Sequence, residues 1–324
     1  MCTSCQWATS GQGVFTVRNM DWHGQMPTAL WVMPAGREQV AANAKDPNPA
    51  KWTSKYGSVA TEIFNLGTGD GMNEKGLHAA MLYLTPSDYG TRDPKLPAIS
   101  ISLWVQYYLD NFATVAEAVA DFEKNPYQVV TLVVEGQPGV VHLQVTDATG
   151  DAAVFEVIDG KMNIYHGEQC QVLTNLPPLP EQLANLKNYE GFGGTKPLPG
   201  TTASDDRFVR ATFYRNALPK AQSGDEAVAY LMSVAHNAAQ PYGTSDPERP
   251  FIAPTIWRSL SDQTNLRYLY EPSIHALQVW LDYKNLDFSV GAPNKKVNLA
   301  EMVGRMGEQS AALVDTEPFP FVLL

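Results

Sequence analysis

Short stretches of this chain alternate apolar and polar residues with period two, and between them lie longer segments with helical spacing. Val14 to Arg18 alternates after the Gln12-Gly13 turn signal, and Ala29 to Met33 is a second short apolar run. Ser58 to Leu66 predicts another strand, the glycines at 67, 69 and 71 read as punctuation, and His78 to Leu84 is a further apolar run. Ala41 to Lys51, rich in Ala, Asn, Asp, Pro and Lys, reads as an exposed loop. Two helices are expected next: Ser100 to Phe112, then Val115 to Glu123 with Thr114 as its cap and Asn125-Pro126 as its stop. Period two returns at Val141, Leu143 and Val145, again at Ala153, Phe155 and Val157, and at Met162 and Ile164. Turns at Asp147 to Asp151 and at Asp159-Gly160 make this an antiparallel meander. After a Pro- and Gly-rich stretch from Pro177 to Gly200, helices are expected over Asp205 to Leu218 and Asp225 to Ala239, then strands over Leu266 to Tyr270 and His275 to Asp282. No linker and no repeat divides the chain, so residues 1–324 are expected to form one layered α+β domain.

Composition narrows the function classes. Hydrophobic residues make up 44% and charged residues 18%, which suits a packed core. The net charge of −11 repels phosphate backbones and anionic headgroups, so neither nucleic acid nor a membrane surface is the expected partner. No apolar run is long enough for a transmembrane helix. The start, MCTSCQWATS, lacks the basic and apolar regions of a secretory signal; either the protein is cytosolic or an initiator Met stands in place of a leader. Three cysteines, at 2, 5 and 170, are too few for a disulfide-built fold, and six scattered histidines offer no zinc spacing. No metal and no cofactor is expected.

The N-terminus carries the most chemistry. Aminopeptidase removal of Met1 would make Cys2 the first residue, placing a thiol and a base on one amino acid. An α-amine titrates near pH 8, at about 7.7–8.0, so its neutral form can take the thiol proton without a histidine. A Met-Cys start alone is weak, since most are accidents of sequence. The residues around it change that. Met1-Cys2-Thr3 is followed by Arg18-Asn19-Met20-Asp21-Trp22 and by Asp70-Gly71-Met72-Asn73-Glu74-Lys75-Gly76-Leu77. Leu173-Thr174-Asn175 and Asp206-Arg207-Phe208-Val209-Arg210 come later. In this order the blocks span about two-thirds of the chain, and together they resemble the choloylglycine hydrolase family of bile salt hydrolases and penicillin V acylases.

The resemblance implies a four-layer αββα N-terminal-nucleophile hydrolase fold with two stacked antiparallel sheets. It implies that Cys2 is nucleophile and, through its amine, base; that Asp21 accepts a hydrogen bond from that amine; and that Arg18 favours the thiolate. It further implies that the Asn175 side chain and the Tyr83 backbone N–H hold the oxyanion, and that Arg207 orders the polar cluster. The block around Asn73 to Gly76 reads as a turn that marks the family without chemistry of its own. Singly, each candidate has an ordinary reading. Arg18 and Asp21 could be a surface ion pair, Asn175 before Leu176-Pro177-Pro178 a turn starter, and Arg207 a solvated helix residue.

Within the family, Tyr83 stands where bile salt hydrolases carry Asn, and Trp22 and the segment from Lys51 to Ser58 resemble Gram-negative penicillin V acylases. Those relatives are exported, which favours the periplasm, with the cytoplasm as the alternative. Some also act on N-acyl homoserine lactones. Trp22 and Tyr83 are expected to wall an apolar acyl pocket, so the partner is a small acyl-amide substrate. The family assembles as homo-oligomers, tetramers among them, although the segment between Asn175 and Arg207 is shorter than in the bile-salt branch, where it helps that assembly. The rival readings are a conjugated bile salt hydrolase and, from another class, an inactive small-molecule-binding homologue.

Overall fold

Strands β1 (Cys2–Trp7), β2 (Phe15–Asp21), β3 (Ala29–Met33), β4 (Ser58–Ile63), β5 (Gly67–Asn73) and β6 (His78–Tyr83) open the chain, followed by helices α1 (Ile101–Asn111) and α2 (Val115–Lys124). The meander β7 (Val141–Thr146), β8 (Ala152–Ile158) and β9 (Lys161–His166) and the short β10 (Val172–Leu173) lead to α3 (Leu179–Leu186), α4 (Ser204–Ala217) and α5 (Gly224–Ala238). Then come β11 (Thr255–Asp262), β12 (Arg267–Pro272), β13 (Val279–Asp282), β14 (Asn294–Asn298), β15 (Gly307–Glu308) and β16 (Val314–Thr316). The structure is a computed structural model and describes all residues except 1, 25, 27, 132, 135, 247–251, 276 and 324.

The first sheet has the order β10-β1-β2-β11-β12-β13-β15, the second β9-β8-β7-β6-β5-β4-β3-β14-β16. Neighbours are antiparallel except for the edge pair β13 and β15. Helices α4 and α5 cover the outer face of the first sheet, and α1 and α2 cover that of the second. The result is the α+β, αββα arrangement. Strands β1 and β2 are therefore buried on both faces, and neither shows an exposed residue.

Several expectations are corrected. The glycines at 67, 69 and 71 do not interrupt the chain but belong to β5, where they permit close packing. A Cβ at Gly67 would lie 2.3 Å from the Ser102 carbonyl oxygen of α1, and one at Gly71 would lie 2.6 Å from the Val59 oxygen and 2.9 Å from Leu109 Cδ1. The Pro-rich stretch contains α3, because proline in a first turn starts a helix rather than breaking it. The loop from Ala41 is not wholly exposed: Ala41 and Ala42 are buried, and Lys51–Thr53 pairs with Glu38–Val40. The strand expected to begin at His275 is shorter and starts at Val279.

Capping follows the sequence. Ser100 and Thr114 cap α1 and α2, with Thr114 Oγ1 accepting from the Glu117 N–H at 3.2 Å. The Val115 N–H is also served by buried Asp147 at 2.7 Å, which ties α2 to the β7–β8 turn. At the far end of the chain, Val322 donates its N–H to the Leu66 carbonyl at 3.0 Å and accepts from Ser102 Oγ at 2.7 Å. Phe319 meets Trp31 edge to face with centroids 5.0 Å apart.

Candidate active site

Cys2 heads an interior strand. β1 lies between β10 and β2, with Cys2 opposite Met20 and Ser4 opposite Arg18. Alternation along β2 sends Arg18 and Met20 into the space between the sheets, while Asn19 turns outward and bonds the Ala235 carbonyl of α5 at 2.8 Å. The Cys2 sulfur consequently sits 3.8 Å from Met20 Sδ and 3.6 Å from Arg18 Nη2, and it is buried.

Arg18 is not paired with Asp21 at the surface. It is buried, and its ion partner is Asp70 of β5, with Nη1 to Oδ1 at 2.7 Å. Ser259 and Tyr268 hold the other Asp70 oxygen at 2.5 and 2.6 Å. Burial alone would pull the Arg18 guanidinium down; the charges on Cys2, Asp70 and Tyr268 outweigh it and hold its pKa above the usual arginine value. A permanently charged group thus lies beside the sulfur. Asp70 belongs to a block that the sequence presents only as a family marker.

Asp21 ends β2 on the helix side. It accepts from Thr255 Oγ1 at 2.6 Å and Gln240 Nε2 at 3.0 Å, and lies 3.6 Å from Arg207 Nη1. Arg207 is fully buried rather than solvated, and burial lowers its pKa despite the pull of Asp21 and Cys2. It donates to the Cys2 carbonyl at 2.6 Å, Thr3 Oγ1 at 2.5 Å and Asn175 Oδ1 at 2.9 Å. Asn175 is the hub of the cluster. Its Oδ1 also accepts from the Cys2 nitrogen at 2.7 Å, and its Nδ2 donates to the Tyr83 carbonyl at 2.7 Å. Donors on one side and an acceptor on the other fix the amide orientation. The Cys2 nitrogen bonded here is the atom that becomes the α-amine when Met1 leaves; Met1 itself lies outside the described residues.

Tyr83 offers its backbone for a definite reason. Leu84 donates to the Val140 carbonyl across the β6–β7 ladder, so Tyr83, one step back, occupies the alternate position. Its N–H and C=O face the opposite edge, where the ladder to β5 has stopped at the Asp70–Ala80 pair. Met81, with the same parity, directs its carbonyl to Arg18 at 2.9 Å. The Tyr83 N–H thus lies on the same edge as its carbonyl, which accepts from Asn175.

Against this cluster opens an apolar cavity with about 790 Å³ of unfilled space, partly continuous with solvent. Trp22, Met26, Ile63, Phe64, Leu66, Tyr83 and Ile101 line it, and Cys2 and Arg18 stand at its base. Trp22 and Phe64 meet nearly perpendicularly, at 78°, with centroids 5.2 Å apart. Phe64 and Asn65 form the β4–β5 turn with φ of 58° and 53°, left-handed values unusual for a residue as bulky as Phe. The structure therefore brings together Cys2, Arg18, Asp21, Trp22, Tyr83, Asn175 and Arg207. It adds Asp70, Thr255 and Gln240, which sequence reasoning did not assign.

Comparison with known proteins agrees with this geometry. The family model for linear amide C–N hydrolases, choloylglycine hydrolase family, matches residues 2–292. A penicillin V acylase from Pectobacterium atrosepticum is 38% identical over 330 aligned residues, covering 94% of this chain and 87% of the relative. A bile salt hydrolase/transferase from Clostridium perfringens is 27% identical, over 76% of this chain and 81% of its own length. The solved structure of penicillin V acylase from Agrobacterium tumefaciens superposes with a TM-score of 0.91 at 43% identity, over 100% of both chains. The chain belongs to the choloylglycine hydrolase family and is a hydrolase of linear amide C–N bonds.

Proposed function

We propose that this enzyme removes an apolar acyl group from an amide in the manner of a penicillin V acylase, with N-acyl homoserine lactones as a second substrate class. The observation that carries this reading is the position of the Cys2 sulfur at the base of a cavity walled by Trp22, Phe64, Ile63, Leu66 and Tyr83. A phenoxyacetyl ring or an alkyl chain buries apolar surface there, at about 25 cal/mol per Å².

Loss of Met1 frees the Cys2 amine, which takes the thiol proton while Arg18 stabilises the thiolate. The sulfur attacks the amide carbon. The oxyanion is received by the second Nδ2 hydrogen of Asn175, the first being held by the Tyr83 carbonyl, and by the Tyr83 N–H. Asp21 accepts from the ammonium, which returns its proton to the departing nitrogen and leaves a thioester. A water deprotonated by the same amine then attacks the thioester, releasing the acid and the thiol. Arg207 holds Cys2, Thr3 and Asn175 in register throughout.

The same reading places the enzyme in the periplasm as a homo-oligomer, to be tested by cell fractionation and by light scattering. Parallel turnover of penicillin V, a long-chain acyl homoserine lactone and a taurine-conjugated bile acid decides the substrate class. Higher kcat/KM on the first two is expected; preference for the bile acid would overturn the proposal.

A further inference from the structure

A second buried constellation lies behind the oxyanion residue. His142 of β7 and Glu156 of β8 are fully buried, one step beyond the paired residues Leu143 and Phe155. His142 Nδ1 lies 2.9 Å from Glu156 Oε1, and Nε2 lies 2.8 Å from the Thr174 carbonyl oxygen. The two oxygens of Glu156 accept from the Leu179 N–H at the start of α3, at 3.1 and 3.3 Å. The pair thus grips the chain on both sides of Asn175, just before it and four residues after it. Between these grips, Thr174 Oγ1 donates to Gln182 Oε1, and Gln182 Nε2 donates to the Asn175 and Pro177 carbonyls at 3.3 and 2.6 Å.

Proton placement follows from the partners. A carbonyl only accepts, so Nε2 of His142 carries a hydrogen. Nδ1 then faces a carboxyl oxygen, and that contact is attractive only with one proton between them. A glutamate and an imidazole with no other obvious role, both removed from water at substantial cost, are thereby spent on a main-chain segment of six residues. The segment contains Asn175.

We infer that His142 and Glu156 are positioning residues that bracket residues 174–179 and so hold the Asn175 amide where the oxyanion forms. The inference rests on the oxyanion role given to Asn175 above. Its prediction is specific: damage to the bracket acts on kcat through Asn175, and on nothing else at the site. Gln at position 156 keeps both grips, because its Nε2 in place of Glu156 Oε1 donates to Nδ1 of His142 while its Oε1 accepts from Leu179; only the second, 3.1 Å contact from Leu179 is given up.

The test is a double-mutant cycle on the full-length, Met1-processed enzyme with penicillin V as substrate. H142A and E156A are expected to lower kcat by about 10-fold or more with KM within about 2-fold, against about 10²–10³ for loss of an oxyanion donor in N175A. In the N175A background, H142A should cost less than about 3-fold further, because its target has already gone. E156Q should retain kcat within about 3-fold. Folded H142A with wild-type kcat, or losses that multiply in the double variant, would overturn the bracket. If the alanine variants do not fold, E156Q decides: retained kcat supports the bracket, and a 10-fold loss at unchanged Tm overturns it. Full activity in N175A would instead sink the oxyanion assignment.

Discussion

Arg18 lies in a place where a guanidinium needs a fixed counter-charge, and Asp70 supplies it from the opposite sheet. Asp70→Asn keeps the shape and removes the charge, leaving a buried cation without its ion partner. Destabilisation of about 3–5 kcal/mol is expected, read as a lower urea midpoint. Arg18, Asp21 and Arg207 were legible as residues because their motifs are specific; their partners were not. Asp70 lies 52 positions from Arg18, so no local spacing pairs them. Phe64 is a second case. Its left-handed backbone is compatible with glycine and its ring is part of the cavity wall, so Phe64→Gly separates the two. Relief of backbone strain opposes the loss of ring packing in Tm, while KM for an aryl-acyl substrate is expected to rise several-fold, on the order of 1 kcal/mol of lost ring contact.

Among the elements, the helices were the most readable. Ser100 and Thr114 cap α1 and α2, and α1, α2, α4 and α5 agree with expectation to within about a residue or two, whereas α3, in the Pro- and Gly-rich stretch, was not expected. Thr114→Ala should cost about 1 kcal/mol, seen as a lowered thermal midpoint, with Asp147 still serving the Val115 N–H. The meander was legible too, because β7 alternates apolar and polar residues, Phe155 and Val157 flank Glu156 in β8, and Asp159 and Gly160 turn with positive φ. What escaped was the part nearest the chemistry. β1 is buried on both faces and carries Thr3, Ser4 and Gln6, so it has neither a period nor an apolar signature. β11 points Ser259 and Ser261 into the space between the sheets, toward Asp70 and His78, and after a bulge turns Thr255 to Asp21 on the helix side. A polar interior inverts the expected pattern, and sequence reasoning looks for apolar cores.

For the molecule as a whole, that polar layer sets a pH limit. His78 is buried on β6, with Nδ1 2.9 Å from Ser261 Oγ, and burial pushes its pKa down from 6.5 to about 4, against the opposing pull of Asp70. The unfolded chain takes up a proton below about pH 6.5 that the folded chain refuses until about pH 4. Stability contributed by the neutral ring is therefore complete above pH 6.5 and lost as pH falls toward 4, on the order of 3 kcal/mol at about 1.36 kcal/mol per unit. His78→Asn should flatten the dependence of urea midpoint on pH in that window; an unchanged slope would refute the assignment. The docking of Val322 on Leu66 and Ser102 has a practical consequence, since both of those residues line the apolar cavity beside Cys2. An affinity handle fused to the C-terminal segment is expected to disturb the cavity lining, and one fused ahead of Cys2 would occupy the nitrogen that the proposed mechanism uses as base. Purification by a tag inserted in an exposed turn, such as that at Gly291, leaves both ends of the polypeptide undisturbed.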